Sequence, residues 1–159
     1  MASDRSNNKS SNGILVGCFL VYVIVLAFLT TGPAPVARSG GAVGINLVPL
    51  TKSIRCFVPN PGQPSTTLFC LQTIIGNMIM FVPFGVLLPL VSKRIVTAKA
   101  ILVAASLVSL AIEAIQFAGR WFGSRRWTDI DDVLFNVLGA LVGYALLRLA
   151  QRAARLFTS

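Results

Sequence analysis

The sequence predicts an all-α protein: a polytopic membrane bundle of four transmembrane helices, with an apolar re-entrant or interfacial segment in its first outer loop. Three observations predict it. Apolar residues make up 55% of the 159 positions and charged residues only 12%, where an ordinary soluble domain carries about 25% charge. Mean hydropathy is +0.77. Four apolar runs, at about 14–31, 68–91, 97–118 and 130–150, take up most of the chain. At the helical rise each reaches about 27–36 Å, which matches a hydrocarbon core of about 30 Å.

Residues 1–13 are polar, rich in Ser and Asn, and carry Arg5 and Lys9. They read as a disordered cytoplasmic tail, followed by one membrane domain over 14–155. The first span has no charge. Its basic start imitates a signal peptide, but the apolar core is longer than the usual 7–15 residues and no clear small-x-small cleavage site follows. The span is therefore expected to stay as a helix. Residues 32–67 form the one long connection, punctuated by Gly and Pro, and within it lies the apolar island Ile45-Asn46-Leu47-Val48-Pro49-Leu50. The island is too short to span. It lies at the interface or folds back as a cap, the latter only where protein satisfies its backbone.

Charge sets the expected orientation. Arg5, Lys9, Lys93, Arg94, Lys99, Arg148, Arg152 and Arg155 fall on one side. Arg38, Lys52, Arg55, Arg120, Arg125 and Arg126 fall on the other. The short link after span two and the C-terminal tail are both on the first side, so both termini are assigned to the cytoplasm of a multi-pass inner or plasma membrane protein. The net charge of +9 sits beside the spans, where anionic headgroups account for it, and nucleic acid is not an expected partner. The chain has no histidine, which excludes imidazole acid–base chemistry and imidazole metal ligands. Its three cysteines, at 18, 56 and 70, share no metal-ligand spacing. Cys56 and Cys70 fall on the outward side, as a disulfide or as unpaired small apolar fillers.

Ionisable groups inside lipid cost about 2.5–3.5 kcal/mol each at a helix centre, so they face protein or water and mark function. Ser109, Glu113, Gln116 and Arg120 share one face of span three, with Glu113 about 8 Å inside its outer end. Span four repeats the pattern with Asp129, Asp132, Asn136, Gly139 and Gly143, polar toward the outer end and small deeper in. Two such stripes should face each other, so Glu113, Gln116, Arg120, Asp129, Asp132 and Asn136 are expected to converge in an outward-opening crevice. Thr128 and Asp131 read as a variant capping box at the start of span four, and Arg125 and Arg126 as headgroup cations. In span two, Asn77 lies near the midplane and needs a partner, for which Asn136 or Glu113 is placed. Pro83 leaves the Ile79 carbonyl without its helical donor and is expected to kink or break the span. Gly85 permits close packing, and Gly139 with Gly143 offers a surface for joining a second copy.

These pieces together resemble the VanZ-like membrane proteins, a family named for a teicoplanin-resistance accessory protein. The likeness is carried by Asn46-Leu47-Val48-Pro49-Leu50, by Asn77-Met78-Ile79-Met80-Phe81-Val82-Pro83-Phe84-Gly85 with Leu88-Pro89, and by Glu113-Ala114-Ile115-Gln116-Phe117 with Gly119-Arg120. It continues through Asp129-Ile130-Asp131-Asp132-Val133-Leu134-Phe135-Asn136 and Gly139. The resemblance covers about residues 45–145. It implies a small helical membrane protein and carries the family signature onto Asn46, Pro49, Asn77, Phe81, Pro83, Phe84, Gly85, Glu113, Gln116, Arg120, Asp129, Asp132, Asn136 and Gly139.

What the resemblance implies, together with the polar stripes, is a cell-envelope or glycopeptide-tolerance factor that binds an envelope lipid or lipid-linked glycan in an outward-facing polar pocket. Asn46, Asn77, Gln116, Arg120, Asp129 and Asn136 would line that pocket. Pro49, Phe81, Pro83, Phe84, Gly85, Asp131, Gly139 and Gly143 would have structural roles. Two alternatives stand beside it. One is a membrane-embedded enzyme in which Arg120 grips a phosphate and Glu113 or Asp132 serves as general base, with Asp129 and Asp132 as candidate ligands for a divalent cation. The other is a transporter or flippase subunit, acting as a homodimer or with a membrane partner.

Overall fold

The computed structural model describes residues 2–32, 45–50, 53–54, 64–92, 94–122 and 128–157. The side chains of residues 2–11, 45, 64–67, 69, 120 and 122 lie outside that description. Four long helices account for most of it: α1, Ala2–Thr31; α2, Pro64–Val91; α3, Ala98–Ala118; and α4, Ile130–Phe157. A single 3-10 turn, Gly119–Phe122, extends α3. Two two-residue strands, β1 (Ile45–Asn46) and β2 (Thr128–Asp129), pair in parallel with Ile45 opposite Thr128 and Asn46 opposite Asp129. All four helices contain a stretch long and apolar enough to cross a membrane, at Asn12–Thr31, Cys70–Val91, Ala98–Ala118 and Ile130–Phe157. The chain is thus an all-α, multi-pass membrane protein.

Two helices run past the apolar limits. α1 begins at Ala2, so the polar stretch expected as a disordered tail has a helical backbone from residue 2. Propagation from an established helix costs far less than nucleation, and 2–13 contains no proline to stop it. α4 continues to Phe157 in the same way.

α4 packs along both α2 and α3, and α1 closes the far side of the bundle against the same two helices. Leu26, Phe81, Phe84, Ile101, Ala105, Ile112 and Ala140 form the buried core, one or two from each helix plus a third from α3. The outer faces stay apolar: Val21, Ile24 and Phe28 of α1, Ile75 and Ile79 of α2, Leu107 of α3, and Leu138 and Leu146 of α4 are all exposed. In lipid these surfaces need no cover. Helix association there rests on close van der Waals fit rather than on water exclusion.

The fit is tightest between α2 and α4. A Cβ at Gly85 would overlap the Ala140 carbonyl oxygen, one at Gly139 would overlap Met78 O, and one at Gly143 would overlap Val82 O. Gly139 and Gly143 are both buried in this seam. The surface expected to join a second copy is therefore already filled by α2 of the same chain.

α2 passes through Pro83 and Pro89 without interruption, so Pro83 does not break the span. A proline inside a membrane helix is tolerated when neighbours satisfy the disturbed turn. Next to the carbonyl that Pro83 deprives of its donor, the Tyr22 hydroxyl of α1 donates to the Met80 carbonyl at 2.8 Å, which ties α1 to this turn, and Phe81 and Phe84 on the proline's flanks are buried with ring centroids 5.7 Å apart. At the other membrane face, Thr97 caps α3 by accepting from the Ala100 N–H. The Tyr144 hydroxyl of α4 ties the α2–α3 link through Val96 O at 2.8 Å.

Candidate functional site

The chain direction places the ends of α1 and α3 and the starts of α2 and α4 at one face of the bundle. Every described carboxylate lies there: Glu113 near the end of α3, and Asp129, Asp131 and Asp132 at the start of α4. Three of them are more than nine-tenths buried, Glu113 at 6% exposure, Asp129 at 5% and Asp131 at 3%. Burying charge at this density requires that each carboxylate find donors.

Asp129 lies at the centre. It precedes the first residue of α4, and its Oδ1 accepts the Asp131 N–H at 3.1 Å. This is the N-cap geometry, so the cap is Asp129 rather than Thr128. Thr128 is instead committed through its backbone to β2. The same Oδ1 accepts from Asn46 Nδ2 at 2.9 Å, which fixes the outer loop on the bundle. The Asp129 N–H in turn donates to Glu113 Oε2 at 3.1 Å. Glu113 therefore reaches across from α3 to the strand that leads into α4.

Asp131 corrects the capping-box expectation. Its Oδ1 accepts the Leu50 N–H, and its Oδ2 accepts from Ser53 Oγ at 2.6 Å and from the Ser53 N–H at 3.3 Å. It is an anchor for the loop rather than a cap for its own helix. The chain turns sharply at this anchor. Asn46 Oδ1 accepts the Val48 N–H at 3.4 Å, Leu50 takes a positive φ of 62°, and Leu50 O accepts the Ile54 N–H at 2.8 Å. Leu47, Val48, Leu50 and Ile54 project outward from this turn and are exposed, as is Pro49. The island thus sits at the end of the bundle with its backbone held by Asp129 and Asp131. Ser53 has no local sequence signal. It is found only because Asp131 reaches it across 78 positions of sequence.

Asn77 of α2 is half-buried and donates through Nδ2 to Asp132 Oδ1 at 2.6 Å. Its partner is thus Asp132, not Asn136 or Glu113. Asn136 lies one turn deeper, buried, and donates to the fully buried Ser109 Oγ of α3 at 2.8 Å; its own Oδ1 is buried and has no partner among the described residues. Gln116 turns away from α4 and donates to the Thr30 carbonyl near the end of α1 at 2.8 Å. The two stripes therefore face each other as a ladder rather than a single point. Asn46, Asn77, Glu113, Asp129 and Asp132 make the outer rung, Ser109 and Asn136 the inner one, and Gln116 a side tie to α1. The side chain of Arg120 lies outside the described residues, as do Arg125 and Arg126.

Glu113, Asp129 and Asp132 each make further contacts beyond those given. Among the described residues no three carboxylates or thiols gather in a way that could hold a metal ion. Cys70, at the same face, is disulfide-bonded. Cys18, in α1, is free and exposed, and Cys56 lies outside the described residues.

Fold and site together define a class: a four-span membrane protein whose helix ends and first loop are clasped by carboxylates and amides at one membrane face. A family model described as VanZ/LLP1 matches residues 17–151, which reaches into all four spans and takes in the whole clasp. The chain belongs to this family and is a VanZ-like integral membrane protein. Among curated proteins and solved structures, none matches it.

Proposed function

We propose that this protein binds the polar headgroup of an envelope lipid or lipid-linked glycan at its carboxylate-bearing face, and that this face looks away from the cytoplasm. One observation carries the reading. A polar rung containing Asn46, Asn77, Glu113, Asp129 and Asp132 lies beside the exposed apolar turn of Leu47, Val48, Leu50 and Ile54. An amphiphile entering from the leaflet meets both surfaces at once: donors and acceptors for its head, and aliphatic side chains for the start of its tails. Asp132 is the natural contact, since it is half-buried where Glu113, Asp129 and Asp131 are buried. The orientation is supported by the basic α2–α3 link and C-terminal tail. It is supported independently by the disulfide at Cys70, because such bonds persist on the oxidising side of a bacterial membrane. The cytoplasmic membrane, with both termini inside, is the location that fits both. We read the role as one in the cell envelope, with glycopeptide tolerance as the phenotype to measure; membership of the VanZ-like family supports this reading.

The test is reconstitution into nanodiscs followed by lipid-retention measurements on a panel of envelope lipids and lipid-linked glycans. Asp132→Asn and Asn77→Ala are each expected to weaken retention of the bound species about tenfold, the effect of losing one charge-assisted hydrogen bond. Gly76→Ala should leave it unchanged, since a Cβ there meets nothing within 4 Å. Unchanged retention in both site variants, with folded protein, would overturn the reading. Turnover of a panel lipid by the parent that is lost in Glu113→Gln would convert the binding site into a catalytic one.

A further inference from the structure

The opposite membrane face carries a second feature that the carboxylate clasp does not use. Between the start of α3 and the last turns of α4 runs a groove of about 530 Å³, lined by Ala98, Leu141, Tyr144, Arg148, Leu149 and Arg152 among others. Its floor is aliphatic and its rim is cationic. Arg148 Cζ stands 5.9 Å from the centre of the Tyr144 ring, and its Nη1 donates to Gln151 at 3.3 Å. Arg148 and Arg152 are both exposed, and neither is ion-paired among the described residues. Lys99, also exposed, follows Ala98 on α3.

Depth decides what such a groove can hold. α4 starts at Ile130, at the carboxylate face. With a rise of 1.5 Å per residue and a hydrocarbon core of about 30 Å, it leaves the core about twenty residues later. That puts Leu141 against acyl chain, Arg148 and Leu149 just inside the boundary and Arg152 just beyond it, with the long Arg148 side chain able to reach headgroup level while its stem stays beside Leu149. The acidic residues of the chain are Asp4, Glu113, Asp129, Asp131 and Asp132. Four of the five lie at the other face, so the chain itself offers little to neutralise this pair. An occupant must therefore supply negative charge at the rim and hydrocarbon below it.

We propose that this groove is a site for one anionic phospholipid of the leaflet opposite the carboxylate clasp. Its phosphate is held between Arg148 and Arg152, and an acyl chain lies along Leu141 and Leu149. Arginine suits the role because its planar fork matches phosphate oxygens two at a time. The site is separate from the proposed outer headgroup site and stands or falls without it.

The experiment is native mass spectrometry of the full chain released from nanodiscs made of phosphatidylcholine doped with phosphatidylglycerol. The parent is expected to retain one phosphatidylglycerol in preference to phosphatidylcholine, and millimolar inorganic phosphate should not displace it. Arg148→Gln and Arg152→Gln should each lower retention about fivefold, the effect of one basic residue at a membrane surface. Arg94→Gln removes the same charge from the same face outside the groove and should change it little. Ala145→Trp fills the groove at an exposed position while every cation stays, and should abolish retention. Equal loss in all three arginine variants would reduce the effect to bulk surface charge and overturn the proposal. So would retention that survives Ala145→Trp, or displacement by phosphate alone.

Discussion

Leu50 adopts a left-handed backbone, φ 62°, in a position where an L-residue pays about 1–2 kcal/mol. Two neighbours hold it there: Asp131, whose carboxylate accepts its N–H, and Ile54, whose N–H donates to its carbonyl. Its side chain is exposed and contributes little packing in return. Leu50→Gly is therefore expected to leave stability unchanged or raise it by up to about 1 kcal/mol, because part of the relieved strain is offset by a more flexible unfolded chain. Leu50→Val, with a branched Cβ, should lower it by about 1–2 kcal/mol. Thermal unfolding in detergent separates the two. Asp131 makes a sharper case. Replacing it by alanine removes the acceptor for two backbone N–H groups and one hydroxyl, an expected cost of about 2–4 kcal/mol. Ser53→Ala removes one of these bonds, at about 1 kcal/mol. Since both residues share the bond, the double variant should cost less than the sum. Protease sensitivity of the 45–54 turn reports both.

At the scale of the helix, the α2–α4 seam is governed by three missing side chains. Gly85, Gly139 and Gly143 each face a carbonyl of the partner helix, so an added side chain can be accommodated only by separating the backbones. Gly139→Val and Gly143→Val are expected to cost at least about 1–3 kcal/mol each, the range for overpacking a close-fitting core. Gly76 lies on the same α2 but faces open space. Gly76→Ala should be tolerated and gain up to about 1 kcal/mol from helix propensity. The comparison tests packing against propensity within one helix, by the thermal midpoint of folded protein in detergent. The seam also positions the site. It fixes the register that brings Asn77 of α2 to Asp132 of α4, so the valine variants should weaken that pair as well.

For the whole molecule, topology is the testable quantity. Four spans return both termini to one side, and the proposed orientation puts the carboxylate clasp outside. In cells expressing Cys18→Ala protein, Leu47→Cys should react with an impermeant thiol reagent before permeabilisation and Arg94→Cys only after it. The reverse pattern would invert the orientation. Without reductant Cys18 of the denatured parent should react with a thiol reagent and Cys70, which is disulfide-bonded, should not; after reduction all three cysteines of the sequence should react. The spans were legible in the chain because twenty apolar residues leave lipid little choice of structure. The pairing of the two polar stripes was legible for Glu113 and Asp129, which meet across the α3–α4 connection. It was not legible for Asn77 with Asp132 or Gln116 with Thr30. Helical periodicity tells which residues share a face but not which neighbour that face meets, and those partners come from distant helices.

Composition and periodicity alone determined that this is a four-span membrane protein with its buried charge gathered at one end, because the hydrocarbon thickness and the cost of charge in lipid act on the local sequence. Only the tertiary arrangement decided that Asp129 rather than Thr128 caps α4 and that Asp131 serves the outer loop. It alone decided that Gly139 and Gly143 are spent inside the chain, and that a cationic groove lies at the far face. Each of these depends on which backbone atom comes within bonding distance of a given side chain. That distance is set by the packing of whole helices against one another, which no local stretch of sequence contains.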